Sequence, residues 1–199
     1  MGRHREFDVD MALDAALDVF WRKGYEGASY TDLTAATGVE RPGLYSAFGN
    51  KEALFRLVLD RYYVRYLTYF PEALKQPTSR LVAEHALRGA AELHTRFADR
   101  RGCMGVLGAL VGPDSIAPIQ HTMMAARALG EAALLQRLEQ AWTQGDLPAH
   151  ADCNALTAFI MTLLSGMAVQ ARNGADRAAL EAVATQALST WPGSAGGPT

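Results

Sequence analysis

Arg41, Gly43, Tyr45 and Ser46 stand in the run SYTDLTAATGVERPGLYSAFGN, residues 29–50, at a spacing that turns them to the outside or flanks of a short helix. An arginine can present a bidentate fork to a guanine edge or clamp a phosphate. Glycine lets backbone approach a sugar or base closely, and Tyr45 and Ser46 offer hydroxyls. Ser29, Thr31 and Lys51 fall at helix N-termini, where free N–H groups and the helix dipole favour a phosphate. The chemistry open to such a set is contact with a DNA duplex, with phosphates fixing register and base edges fixing sequence. With Tyr30 and Pro42 included, the candidate DNA-binding residues are Ser29, Tyr30, Thr31, Arg41, Pro42, Gly43, Tyr45, Ser46 and Lys51.

Two short helices joined by a tight turn must hold these groups. Ser29 stands three residues before Asp32, a capping-box-like start. The helix it opens carries Leu33 and Ala36 on one face. Gly38 ends it, and Val39 plugs the angle to the next. A second helix opens near Glu40 with Pro42 in its first turn, where a missing N–H costs little. Leu44 and Phe48, spaced i, i+4, anchor it inward. Asn50 can cap a long helix from Lys51. This layout is that of a helix-turn-helix, which lays its second helix in the major groove.

The run FWRKGYEGASYTDLTAATGVERPGLYSAFGNKEALF resembles the DNA-binding segment of the TetR family of bacterial repressors. The matching elements are the aromatic-rich end of the first helix before Gly24-Tyr25, the cap at Ala28-Ser29, Gly38-Val39, Leu44-Tyr45, Phe48 and Lys51-Glu52-Ala53-Leu54. They cover about the first third of the chain. The resemblance implies an all-helical homodimer whose N-terminal helices bind a palindromic operator and which a small molecule in the C-terminal domain releases. Glu40 is a departure: phosphate repels it, so it faces a cytosine amino group or stabilises the helix N-terminus.

Composition fits a folded chain: of 199 residues 49% are hydrophobic and 20% charged, enough for a substantial core. The net charge of -2 is not that of a general nucleic-acid binder. The first sixty residues hold ten acids against seven bases. Arg3, Arg5, Arg41 and Lys51 can nonetheless share one DNA-facing side, and affinity follows local phosphate contacts. Moderate, salt-sensitive binding is expected. Cys103 and Cys153 are too few for a disulfide framework. The charged start MGRHREFD lacks the apolar run of a signal peptide, so a cytoplasmic location is expected. The uncharged stretch from Cys153 to Ala171 approaches a membrane span in length, but its uneven apolar distribution fits better a helix buried between core and partner.

Along the chain, Asp8 caps a helix to about Lys23 with Leu13, Ala16, Leu17 and Phe20 on one stripe. The helix from Lys51 turns Leu54, Leu57 and Val58 inward and continues to about Pro71. Others follow at about 78–100, within RGCMGVLGALVGPDS, at about 115–144, from Asp152, and from about Asp176. The expected fold is all-α: an N-terminal three-helix DNA-binding head over 1–50, a helical ligand-binding and dimerisation bundle over 51–191, and a disordered tail at 192–199, with about nine helices. The last two helices can pair with their twins in a symmetric four-helix bundle.

Candidate ligand-lining residues are Tyr66, Phe70, Phe97, Met104, Leu107, Met123 and Phe159, since methionines and aromatics make adaptable apolar walls; each also suits an ordinary core. Cys103 follows Arg100 and Arg101 near a helix start. Such a setting lowers a thiol pKa and suits an electrophile or oxidant sensor; the alternative is a small buried hydrophobe. The Gly-Cys-Met segment, GDLPAHAD and GMAVQARNGA resemble a subgroup of the family, some of which respond to electrophiles, oxidants or metals. No cofactor is expected. His85, His94 and His121 lack ligand spacing, although Cys103, Met104 and Met123 are soft enough for Cu(I). Glu84, His85, Glu92 and His94 fit solvated helix faces, and no GxSxG or HExxH motif suggests an enzyme. The reading is a homodimeric repressor of double-stranded operator DNA released by a small-molecule or thiol-reactive inducer, with no membrane partner. A helical ligand carrier or adaptor without DNA binding is the alternative.

Overall fold

The computed structural model describes residues 7–99, 101–108 and 117–192. Arg3, Arg5 and Arg100, the end of the glycine-rich run at 109–115, and all of the expected tail but Pro192 lie outside the described residues. Within them the chain forms ten helices and no strand. These are α1 (Val9–Gly27), α2 (Tyr30–Thr37), α3 (Arg41–Phe48), α4 (Lys51–Tyr66), α5 (Tyr69–Leu74), α6 (Ser79–Thr95), α7 (Met104–Leu107), α8 (Ala117–Thr143), α9 (Cys153–Arg172) and α10 (Arg177–Ser189).

Local chemistry sets most of the starts. The side chains of Asp8, Ser29, Asn50, Thr78, Asp152 and Asp176 each accept a hydrogen bond from a backbone N–H of the first turn they precede. At α2 the box is reciprocal: Ser29 Oγ accepts from the Asp32 N–H, and Asp32 Oδ2 accepts from the Ser29 N–H. Gly38 closes α2 at φ 67°, with its N–H on the Thr34 carbonyl.

Three helix ends depart from expectation: α1 runs to Gly27, α6 ends at Thr95, and the third breaks a helix in two. The long helix from Lys51 stops at Tyr66, and a separate helix, α5, carries Tyr69 to Leu74. Pro71 explains the break. In a continuous helix it would lack the N–H for the Leu67 carbonyl and clash with it. In the first turn of a new helix neither matters.

The core has two parts. One joins α1 to α4 through Leu17, Phe20, Trp21, Phe55 and Tyr62 and extends to Leu93, Cys103, Met104, Met123 and Ala168 of the body. The other fills the space between α6, α8, α9 and α10. Buried residues of α4 follow 54, 55, 58, 59 and 62, so Phe55 takes the inward place expected of Leu57, which is 44% exposed. Ala36 of α2 is exposed as well, leaving Leu33 as that helix's anchor. Helix α9 is long and apolar enough to cross a membrane by length and composition. Its Thr157, Ile160, Leu164, Met167, Ala168 and Ala171 are instead buried within the body.

Head and body are tied by directed hydrogen bonds. The Trp21 indole N–H donates to the Gly102 carbonyl at 3.1 Å, and Arg172 donates to the Arg22 carbonyl at 2.7 Å. Gly102 is confined to glycine twice over. Its φ is +87°, and a Cβ would sit 2.7 Å from the Ala168 carbonyl oxygen.

Candidate functional site

Helix α3 is held inward by buried Leu44 and Phe48, which exposes Arg41, Pro42, Tyr45 and Ser46. The exposed groups are organised rather than loose. The Arg41 guanidinium lies 4.2 Å from the Tyr30 ring centroid and 5.4 Å from that of Tyr45. The two rings stack at 5.3 Å. Arg41 Nη2 donates to the Tyr45 hydroxyl at 3.1 Å, and the Tyr30 oxygen accepts the Lys51 backbone N–H at 3.1 Å. Hydrogen bonds from Tyr30 and then Arg41 pull the Tyr45 phenol below its usual pKa. The Lys51 ammonium sits 4.6 Å over the Tyr25 ring, and burial lowers its pKa. Such cation–π contacts hold long basic side chains in place without neutralising their charge.

The neighbouring groups have specific local duties. Ser29 is committed to the α2 cap, and Lys23 pairs with Asp32 at 2.6 Å. The hydrogen bond from Lys23, then those from Ser29, hold the Asp32 carboxyl at about 2. Thr31 is exposed. Gly43 has an internal reason to be glycine: a Cβ there would meet Val39 Cγ1 at 2.9 Å. Glu40 makes no side-chain cap bond to α3.

A cavity of about 110 Å³ lies in the body between α4, α5, α6, α7, α8 and α9. Phe70, Cys103 and Met123, expected at a ligand site, line it together with Tyr63, Tyr69, His94, Met161 and Ser165. A second crevice, of about 210 Å³, lies between head and body, and Met104, Leu107 and Met123 face it beside Trp21, Tyr25 and Arg172. Tyr66 and Phe97 line neither space; they pack edge-on against the Trp21 ring. Phe159 is a correction. It is 39% exposed, because Ile160, Leu164 and Met167 take the inward face of α9.

Cys103 is also a correction in its chemistry. It does stand at the start of α7, where the Gly105 and Val106 N–H groups favour the thiolate, but its side chain makes no cap hydrogen bond. Burial nevertheless dominates and pushes the thiol pKa up. Arg101 does not face it; that guanidinium donates to the carbonyls of Gly174 and Ala175. The partner of Cys103 is the Tyr62 hydroxyl at 3.4 Å. It is a neutral buried thiol, not an activated thiolate.

His94 does not lie on a solvated face. It is 1% exposed, and neither ring nitrogen has a hydrogen-bond partner among the described residues. Burial lowers its pKa to about 4. A buried polar atom left unpaired costs about 1–3 kcal/mol.

The family model for bacterial regulatory proteins of the tetR family matches residues 12–58. The HTH-type transcriptional repressor ComR of Escherichia coli (strain K12) is 36% identical over 200 residues, covering 96% of this chain and 92% of ComR. The chain belongs to the TetR family. The repressor BdcR of the same organism is 29% identical, over 95% of this chain and 93% of its own length. Among solved structures, the TetR family regulator CifR, a cysteine mutant complexed with 26-bp double-strand operator DNA, shares 38% identity at a TM-score of 0.90. That match covers 96% of this chain and 100% of the CifR chain.

As a TetR-family member the protein is a DNA-binding transcriptional regulator, not an enzyme. The family segment contains α2 and α3 and the start of α4. Two features of this TetR-family chain lie outside the candidate residues named from sequence. Tyr25 is the platform for Lys51, visible only once the start of α4 packs against the end of α1. His94 had a usable signal, since it continues the buried series Ala83, Leu87, Ala90 and Ala91 along α6 at helical spacing.

Proposed function

We propose that the protein is a homodimeric repressor whose two α3 helices enter successive major grooves of a palindromic operator, and that a small molecule in the body cavity releases it. The pre-positioned Arg41 between Tyr30 and Tyr45 carries this reading. A guanidinium fixed by two rings loses less freedom on meeting a base edge or phosphate than a free side chain does. Arg41, Pro42, Gly43, Tyr45 and Ser46 approach the groove, while Ser29, Tyr30, Thr31 and Lys51 lie along phosphates. In this division, residues 1–50 form the DNA-binding head and 51–191 the ligand-binding and dimerisation unit, acting in the cytoplasm where the DNA is.

The proposed dimer contact is the outer side of α9 and α10. Ala155, Ala158, Phe159, Thr162 and Gly166 form an exposed uncharged stripe on α9, and Val183 stands exposed on α10. Two copies of this hairpin would make a four-helix bundle across a two-fold axis. Phe159 serves there rather than in the cavity.

Release works through α4 and the Gly102 loop. Tyr63 and Leu67 of α4 line the cavity, and Cys103, its neighbour in the wall, follows the Gly102 carbonyl that holds Trp21 of the head. A ligand favouring a shifted position of these walls tilts the head. Adjacent major-groove faces lie about 34–36 Å apart, so a few ångströms of error weaken both contacts. Cys103 acts as a wall of this site. The test is a gel shift on DNA flanking the protein's own coding region. Retarded DNA with the wild type and loss with Arg41→Ala, at unchanged helicity, are expected; equal binding by both proteins would refute the reading.

A further inference from the structure

The body cavity is apolar except for a few groups, and one of them is unmet. Rings of Tyr63, Tyr69 and Phe70 and the thioethers of Met123 and Met161 form its walls. Its volume of about 110 Å³ is below the roughly 150 Å³ of an enclosed apolar cavity that holds benzene, so a single ring fills it and reaches its open side. Ser165 already donates its hydroxyl to the Met161 carbonyl at 2.7 Å. Arg127, the charged residue of the lining, is exposed and donates to the same carbonyl at 3.3 Å. Of the nitrogen-bearing groups in the lining that leaves His94, buried, with both nitrogens unpartnered among the described residues.

We infer that this cavity takes an uncharged, ring-sized apolar molecule bearing a hydroxyl, of phenol type, and that the His94 imidazole recognises the hydroxyl. The inference rests on the reading of this cavity as the effector site. A neutral imidazole presents one N–H and one bare nitrogen. A ligand hydroxyl can donate to the bare nitrogen or accept from the N–H, and either bond satisfies a buried group that has none. A carboxylate would find as countercharge the exposed Arg127, which solvent screens, and so would recover only part of its desolvation cost. Discrimination of this kind is strong in sites built to bond a hydroxyl, because the analogue lacking it leaves the protein group unpaired.

The experiment is calorimetric titration of the full chain with phenol, toluene and benzoate at pH 7. Phenol is the better hydrated of the first two, so a merely greasy cavity prefers toluene. The wild type is expected to prefer phenol and to bind benzoate more weakly than phenol. His94→Leu is expected to reverse the phenol–toluene order, shifting their affinity ratio by about tenfold or more. A toluene preference in the wild type, benzoate binding equal to phenol, or a phenol preference that survives in His94→Leu overturns the inference. The wild-type comparison decides the matter even if the variant does not fold. Gel shifts of the ligand-free protein on the same preparations separate a failed regulatory reading, in which no DNA is retarded, from a failed recognition by His94.

Discussion

The two ends of the molecule treat their polar groups in opposite ways. In the head, Arg41, Tyr30, Tyr45, Ser29 and Lys51 are exposed or half-buried, and each has a partner within the chain. In the body, His94 is buried and its ring has none among the described residues. Bonds at an accessible surface exchange cheaply for bonds to phosphate or base, because water is always the alternative. The head therefore gains from being arranged in advance. A buried group has no such alternative, so its unmet bond becomes affinity for whatever supplies the partner. The first arrangement suits a fixed partner of known shape, and the second suits a small molecule that must be told from its analogues.

The strongest way to break this contrast is to disconnect the two ends. Phe159→Asp places a charge on the proposed dimer face and should yield monomers in sedimentation velocity. Losing the second half-site should lower operator affinity by about 10²–10⁴-fold while the head stays folded.

Acid sharpens the contrast. His94 titrates at about 4 in the folded chain against an ordinary 6.5. The unfolded chain thus binds the extra proton between these values, and stability falls as pH drops from 6.5 towards 4, by about 3 kcal/mol in all. Urea denaturation at pH 7 and pH 4.5 measures it, and His94→Leu should flatten the dependence. Asp32, its counterpart in the head, acts lower. Its folded value of about 2 lies below the ordinary 3.8, so its contribution is whole above 3.8 and is lost as pH falls through 2.

Smaller effects belong to the head. Arg41→Ala should cost about 1–3 kcal/mol of operator affinity in a gel shift. Lys51→Gln should weaken binding to all sequences alike and reduce the salt slope of log K by about 1. Ser29→Ala, which removes the α2 cap, should cost about 1 kcal/mol of stability in thermal or urea melts.

The head was legible because its determinants are close in sequence. Ser29 with Asp32, Gly38 at its turn, Leu44 with Phe48, and Asn50 before α4 act over two to four residues, the range in which a helix specifies itself. The outward placement of Arg41 and Tyr45 follows from those anchors. The all-helical class and most helix starts were fixed in the same way, by side-chain caps and by the 3.6-residue period.

Only the tertiary structure decided what depends on neighbours far along the chain. It turned Leu57 and Phe159 outward and His94 inward, since a helix with several apolar positions can bury more than one stripe and its packing partners choose. It raised the Cys103 pKa where nearby arginines suggested the opposite, because desolvation depends on what surrounds the sulfur and not on what precedes it in sequence. It placed Tyr25 beneath Lys51 and Trp21 against Gly102, contacts that span 26 and 81 residues. Local sequence sets helices and caps because those interactions close within a turn; burial, cavity walls and the coupling between head and body arise only when separate helices meet.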